Sequence, residues 1–308
     1  MSENIKIGII GGDKRQLICA DGLSCDFECA VWGFASVYGN DDEKYLKNTV
    51  RCADWMSAVK CSDAVILPLP ASTDGVRLNC PLAVSGGDAP DIRLLEICEK
   101  MKPGSLLVGG MIPAVIKRYA VERGLSVTDY YDSEELQIKN SVPTAEGAIG
   151  ACIDRLPMTV SGMKTAVFGY GRVGRVLAGR LRALGATVYA AARNPRDRAY
   201  AYCDGCIPVT IDEFKLSPCV CDAIFNTVPY QIFDRDFLSK LSEVSPKAVI
   251  FELASACSGV DMKAAAEIPM TVVPLLSLPG KTAWKSAGDI ICSVVKKTIY
   301  ERIAEEKK

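Results

Sequence analysis

The stretch Thr165-Ala166-Val167-Phe168-Gly169-Tyr170-Gly171-Arg172-Val173-Gly174 decides how the whole chain is read. A short apolar strand signal runs into three glycines spaced Gly-x-Gly-x-x-Gly, and a helical pattern continues over residues 172–184 to Gly185. A second strand signal, Thr187-Val188-Tyr189-Ala190-Ala191-Ala192, completes a strand–helix–strand unit. The glycine spacing alone is a weak signal. In this context each glycine has a physical role. Gly169 permits a tight turn, Gly171 lets backbone approach a pyrophosphate, and Gly174 lets the helix lie close to the strand. The helix start, at Arg172 and Val173, adds amides and a positive dipole end. The expectation is a dinucleotide site.

The end of the second strand selects the cofactor. An acid there accepts hydrogen bonds from a ribose 2′-hydroxyl and favours NAD. Here Arg193 holds the position, followed by Asn194, Arg196 and Arg198. A guanidinium suits a 2′-phosphate, so NADP(H) is expected, with NAD as the alternative. Further on, Asn226-Thr227-Val228-Pro229 and Leu253-Ala254-Ser255 end later strands of the same unit. Ligands of open parallel sheets sit at the carboxyl ends of strands, which puts Asn226, Thr227, Val228 and Pro229 beside the cofactor.

Working outward, strand signals at residues 165–168, 187–190, 207–209, 223–228, 248–253 and 271–273 alternate with helical stretches. The first half repeats the alternation, with strands at 5–10, 29–32, 64–69, 106–108 and 127–130 and helices at 92–100 and 114–123. The pattern predicts an α/β protein of two doubly wound, Rossmann-like domains with parallel sheets and an interdomain cleft. The first domain reads equally as flavodoxin-like. Pro143 suits a first helical turn, so a helix is expected to start there and carry the chain into the second unit. The stretch 283–308 reads as a long amphipathic helix that returns to the first domain. The expected division is 1–145 plus 284–308 for substrate, and 146–283 for cofactor.

A chain of 308 residues, 49% hydrophobic and 24% charged, suffices for two ordinary cores. A net charge of −1 gives no electrostatic reason to expect nucleic acid or an anionic membrane as partner. The 14 cysteines are scattered through strands and helices, which fits reduced thiols and a cytoplasmic location. No apolar run is long enough to cross a bilayer, and no secretory leader is legible. Histidine is absent, so mechanisms with an imidazole base or ligand are excluded. Cys203/Cys206 and Cys219/Cys221 suggest zinc only by count, since Cys-x-Cys spacing is poor for tetrahedral ligation, and no metal is expected.

Polar candidates for a substrate lie in Gly11-Gly12-Asp13-Lys14-Arg15-Gln16, after the first strand, and in Leu278-Pro279-Gly280-Lys281-Thr282, after the last. The first resembles a nucleotide loop but lacks the third spaced glycine. Taken in order with Pro143-Thr144-Ala145-Glu146-Gly147, the Gly169–Gly174 fingerprint, Asn226–Pro229 and Glu252-Leu253-Ala254-Ser255, these segments resemble the family of dipicolinate synthase A subunits. The resemblance spans nearly the whole chain. Two places depart from it: Cys257-Ser258-Gly259-Val260-Asp261 replaces a Pro-Gly-Gly-Val-Asp-like turn, and no proline stands near Trp284.

The resemblance implies oxidation of a dihydrodipicolinate-type precursor to dipicolinate (pyridine-2,6-dicarboxylate) during sporulation, in the mother cell. It also implies a flavoprotein-like partner, the dipicolinate synthase B subunit, with self-association left open. Removing a hydride from a dihydropyridine gains aromaticity, so a histidine-free site is acceptable here. It is unfavourable for a 2-hydroxyacid dehydrogenase, whose hydroxyl must lose a proton. For the two carboxylates of such a substrate, Arg15, Lys281, Ser255 and Thr144 supply suitable groups, and Asp13 or Glu146 a proton acceptor. The alternatives are another NAD(P)-dependent 2-hydroxyacid or cyclic-imine dehydrogenase, and a non-catalytic NADP(H)-sensing protein.

Overall fold

A computed structural model describes residues 5–84, 90–254 and 259–306. The chain divides into two compact units, Met1–Lys139 with Trp284–Lys308, and Asn140–Ala283. In the first, β1 (Lys6–Ile10), β2 (Glu28–Trp32), β3 (Val50–Arg51), β4 (Ala64–Ile66), β5 (Leu106–Gly109) and β6 (Ser126–Asp129) form a parallel sheet ordered β3-β2-β1-β4-β5-β6. In the second, β7 (Lys164–Phe168), β8 (Thr187–Ala191), β9 (Ile207–Val209), β10 (Ala223–Asn226), β11 (Val249–Glu252) and β12 (Thr271–Pro274) are ordered β12-β11-β10-β7-β8-β9. Counted from each unit's first strand, both orders are 3-2-1-4-5-6, the Rossmann order. The flavodoxin-like reading of the first unit is therefore wrong.

Helices α1 (Lys14–Ser24), α2 (Trp55–Lys60), α3 (Leu94–Lys100) and α4 (Ala114–Glu122) belong to the first unit, and α5 (Glu134–Arg155) passes from it into the second. There follow α6 (Arg172–Ala183), α7 (Pro195–Cys203), α8 (Ile211–Leu216), α9 (Arg235–Val244), α10 (Met262–Glu267) and α11 (Leu278–Thr282). The last, α12 (Trp284–Glu306), packs on α1: a Cβ on Gly22 would lie 2.5 Å from Cys292 Sγ, and one on Gly288 2.7 Å from the Arg15 carbonyl.

Strand alternation divides each core into two layers. Ile7, Ile9, Ile66 and Val108 pack with Leu17 and Val295 on one face of the first sheet, while Val65 and Leu107 meet Val59 and Ile97 on the other. In the second sheet Val167, Phe225 and Phe251 face Leu177 and Ala148, and Phe168, Ile224 and Ile250 face Phe237 and Leu241. Each such fully buried side chain contributes about 1.5–3 kcal/mol.

Two local expectations need correction. The helix expected to begin at Pro143 begins at Glu134, and Pro143 lies inside it. Its start is marked by the Ser133 hydroxyl, which accepts the Leu136 amide at 3.3 Å, and by Glu134 and Glu135 in the first turn. Pro143 brings no N–H to the Lys139 carbonyl, at the junction of the two units. The strands expected over 64–69 and 223–228 stop at Ile66 and Asn226, just ahead of Pro68 and Pro229, residues that cannot donate to a ladder.

Candidate functional site

Everything needed for a dinucleotide cradle comes from the carboxyl edge of the second sheet. β7 ends at Phe168, whose carbonyl accepts both the Thr227 amide, at 2.9 Å, and the Thr227 hydroxyl, at 2.8 Å. That clamp fixes the turn, and Gly169 follows in the left-handed region, at φ +89°. A Cβ on Gly169 would lie 2.4 Å from Thr227 Oγ1, and one on Gly174 only 2.0 Å from the Gly169 carbonyl oxygen. Both glycines are required by close approach. Gly171 differs, because a Cβ there would meet nothing within 4 Å. It is the N-cap of α6, where no side chain caps the helix and no acid stands in the first turn. An uncapped 12-residue helix offers its first-turn amides and dipole to an anion.

In front of this turn lies a cleft of about 460 Å³. Gly169, Gly171, Arg172 and Val173 form its floor, and Arg193, Asn194 and Asp197 border it after β8. Thr227, Val228, Pro229 and Tyr230 border it after β10. The exposed Arg193 guanidinium stands 5.8 Å from the centroid of the Tyr230 ring. Its backbone is anchored by Arg198 Nη1, which donates to the Ala192 and Arg193 carbonyls at 3.0 and 2.7 Å. The Asn194 side chain is committed to capping α7, accepting the Arg196 amide at 2.9 Å. Arg196 is not among the lining residues; its guanidinium lies 5.6 Å from the Tyr200 ring centroid.

Asn226 does not border the cleft, contrary to the expectation drawn from its place at a strand end. It is fully buried, and its Nδ2 donates to both oxygens of the equally buried Glu252, at 2.9 and 3.0 Å. Its Oδ1 accepts the Val228 amide at 3.1 Å, so Asn226 shapes the cleft wall through Val228. Glu252 also accepts the Ala254 amide at 2.8 Å. Burial pushes the Glu252 carboxyl above its ordinary value, against the pull of the Asn226 and Ala254 N–H groups. Neighbour geometry is tight: a Cβ on Gly259 would fall 1.8 Å from Asn226 Nδ2. Sequence reasoning missed this acid as a structural element. The signal is an ionisable residue closing the buried strand Val249-Ile250-Phe251-Glu252.

The remaining polar candidates fall into two groups. Asp13 and Arg15 belong to the first unit, where Asp13 caps α1 by accepting the Arg15 amide at 3.0 Å. Arg15 is buried, with Nε 3.0 Å and Nη2 2.8 Å from the Asp13 oxygens, and Nη2 also donates to the Leu69 carbonyl. The two residues expected as separate acid and cation are one ion pair. Thr144, Glu146 and Lys281 belong to the second unit. The Thr144 hydroxyl donates to the Asn140 carbonyl at 2.8 Å, and exposed Glu146 accepts Arg180 Nε at 3.0 Å. Lys281 is exposed on α11, which packs against α5 at Gly147, where a Cβ would lie 2.7 Å from Thr282 Oγ1. Ser255 and Cys257 lie outside the described residues.

A doubly wound sheet with this cradle at its carboxyl edge defines a nicotinamide-dinucleotide-dependent oxidoreductase. Residues 145–260 match the family model of the D-isomer specific 2-hydroxyacid dehydrogenase NAD binding domain, and residues 6–131 that of the N-terminal domain of the dipicolinate synthase A subunit. Over 310 residues, all of both chains, the sequence is 29% identical to the dipicolinate synthase A subunit of Bacillus subtilis. The crystal structure of the dipicolinate synthase A chain from Bacillus subtilis superposes with a TM-score of 0.83 at 28% identity, covering 99% of each chain. The corresponding protein from Bacillus halodurans gives 0.82 at 26%, covering 97% of this chain and 98% of that one. A transhydrogenase from Sinorhizobium meliloti shares the fold, with a TM-score of 0.67 at 14% identity over 96% and 94% of the two chains. Over its whole length the chain is similar to the dipicolinate synthase A subunits.

Among the described residues no helix is long and apolar enough to cross a membrane.

Proposed function

We propose that this protein oxidises a dihydrodipicolinate-type precursor to pyridine-2,6-dicarboxylate with NADP⁺, as a sporulation enzyme acting in the cytoplasm with a second, flavoprotein-like subunit. The observation that carries the cofactor choice is Arg193. It stands exposed at the cleft mouth after β8, where an NAD-selecting acid would otherwise sit. Arg198 fixes the backbone of the loop from which Arg193 projects, and a guanidinium there suits a 2′-phosphate. Substrate and partner rest on the full-length similarity to the dipicolinate synthase A subunits.

NADP⁺ supplies the hydride acceptor when bound, and the ring loses one proton as it becomes aromatic. The protein's own residues bind and orient. The α6 amides and Gly171 seat the pyrophosphate, and Val228, positioned by Asn226 and Glu252, walls the nicotinamide end. Arg15, Lys281, Thr144 and Ser255 are assigned to the carboxylates. Asp13 and Glu146 are the two candidate proton acceptors, Asp13 at the carboxyl edge of the first sheet and paired with Arg15, Glu146 exposed and paired with Arg180. Because aromatisation drives the reaction, a weak base suffices.

The test mixes purified protein with NADP⁺ and freshly made dihydrodipicolinate. NADPH and pyridine-2,6-dicarboxylate should appear together, in equal amounts. Tight NADP binding with no turnover, even in the presence of the second subunit, would replace this reading with that of a cofactor sensor.

A further inference from the structure

The carboxyl edge of the first sheet carries a residue whose placement neither packing nor backbone preference explains. β5 runs into Gly109-Gly110-Met111-Ile112-Pro113. The two glycines are pressed onto the neighbouring strand end: a Cβ on Gly109 would lie 3.0 Å from Leu67 Cβ, and one on Gly110 2.7 Å from Leu69 Cδ1. The Gly110 amide donates to the Pro68 carbonyl at 3.1 Å, and its own carbonyl accepts the Ala71 amide at 2.7 Å. The chain then reverses. Met111 takes φ +55°, a conformation that glycine or asparagine adopts readily and a bulky side chain does not.

A dedicated device holds it there. The Met111 and Ile112 amides donate to the two oxygens of Asp129, each at 2.9 Å. That carboxylate also accepts the Tyr131 amide at 3.0 Å and Lys117 Nζ at 2.8 Å. The side chain so displayed remains 53% exposed. It stands two contacts from Arg15, because Leu69, whose side chain lies against Gly110, gives its carbonyl to the Arg15 guanidinium. Strain persists where surrounding structure over-determines it, and such sites cluster where ligands bind. The carboxyl edge of a parallel sheet is where ligands are taken.

We propose that Met111 is a specificity-determining residue whose thioether packs on the flat face of the substrate ring. This inference rests on the reading that the chain handles a planar dicarboxylate. A thioether suits that task, since its polarisable sulfur gains from contact with an aromatic ring and its methylenes shield the face from water. Arg15 and its neighbours recognise carboxylates, which many acyclic acids share. Met111 recognises the flatness that separates a pyridine dicarboxylate from them.

The test uses Met111→Asn, Met111→Gly and Met111→Leu in the full chain, with calorimetric titration of pyridine-2,6-dicarboxylate and of pimelate, the flexible acyclic dicarboxylate with the same seven-carbon skeleton. The first two variants relieve strain, so their melting temperatures should rise. Their affinity for pyridine-2,6-dicarboxylate should nonetheless fall about tenfold, with pimelate changed by less than about twofold. Met111→Leu should keep most of the affinity. In turnover, KM should rise with kcat retained. Ring affinity within about twofold of wild type in both strain-relieving variants overturns the proposal and leaves a strained turn. So does a loss of self-association with ring affinity intact. Wild-type protein that binds the ring yet forms no NADPH removes the proposed reaction and leaves the role of Met111 standing. Wild-type protein that binds no ring removes both.

Discussion

In both units the first strand enters a glycine turn and leaves it as a helix, yet the two turns are built for opposite purposes. The first is filled by the protein itself. A Cβ on Gly11 would lie 2.9 Å from the Asn79 carbonyl oxygen, and one on Gly12 2.7 Å from Gln16 Cβ. Asp13 lays its carboxylate on the start of α1, and Arg15 pairs with it. An anion is thus already in place where a phosphate would sit. In the second turn the helix start is uncapped and Gly171 opens on a cleft. One strand order therefore supports a plugged turn and an open one, and the difference lies in a few residues: Asp13 and Arg15 in one, Gly171 and Gly174 in the other.

The comparison breaks most violently at Gly174. Gly174→Ala puts a methyl 2.0 Å from the Gly169 carbonyl. It should cost about 3 kcal/mol in urea unfolding and abolish NADP binding together with it. A variant of wild-type stability would contradict the reading of the turn. In the plugged turn, Arg15→Ala leaves Asp13 without its partner and the Leu69 carbonyl without its donor. About 2–3 kcal/mol of stability should be lost, with NADP affinity unchanged. Unchanged affinity for pyridine-2,6-dicarboxylate in the same variant would remove Arg15 from the carboxylate site.

Finer differences sharpen the open turn. Arg193→Ala should weaken NADP⁺ by about tenfold or more and NAD⁺ by less than about twofold. Equal losses for both would show that Arg193 does not meet the 2′-phosphate. The smallest effect concerns Glu252. Its carboxyl is raised by burial in the folded protein, so the fold holds that proton more tightly than the unfolded chain does. The stability it contributes is full below the ordinary value of 4.5 and is lost as pH rises through the raised one. Glu252→Gln does not titrate. The stability of wild type relative to this variant should fall as the pH is taken upward from about 5 in urea unfolding, and a flat difference would contradict the assignment.

The residues of the sequence differ in how much of this they disclose. Runs such as Ala223-Ile224-Phe225 and Val249-Ile250-Phe251 announce buried parallel strands, because their period and β-preference depend on neighbours in sequence. The two-residue strand Val50–Arg51 announces nothing, being short and exposed. Pro143 misleads because its rule concerns first turns, while the Ser133 cap and the acids at 134 and 135 had already started the helix. The Gly169–Gly174 cradle is legible because each glycine answers a local constraint. Asn226 is not, since its direction is set by Glu252, 26 residues onward. Arg15 likewise looks like a free cation until Leu69, 54 residues away, takes its guanidinium. Met111 is hidden most deeply, for only its φ and the distant Asp129 mark it. Long-range polar pairing is what sequence spacing does not carry.

The central claim is one open turn per chain. Calorimetric titration of NADP⁺ into wild type and Gly171→Val measures this directly, since a Cβ at Gly171 would meet no protein atom within 4 Å. The expected result is one NADP⁺ per wild-type chain, and an affinity lower by about a hundredfold in Gly171→Val at unchanged melting temperature. Two dinucleotides per chain, or undiminished binding in the variant, would contradict it.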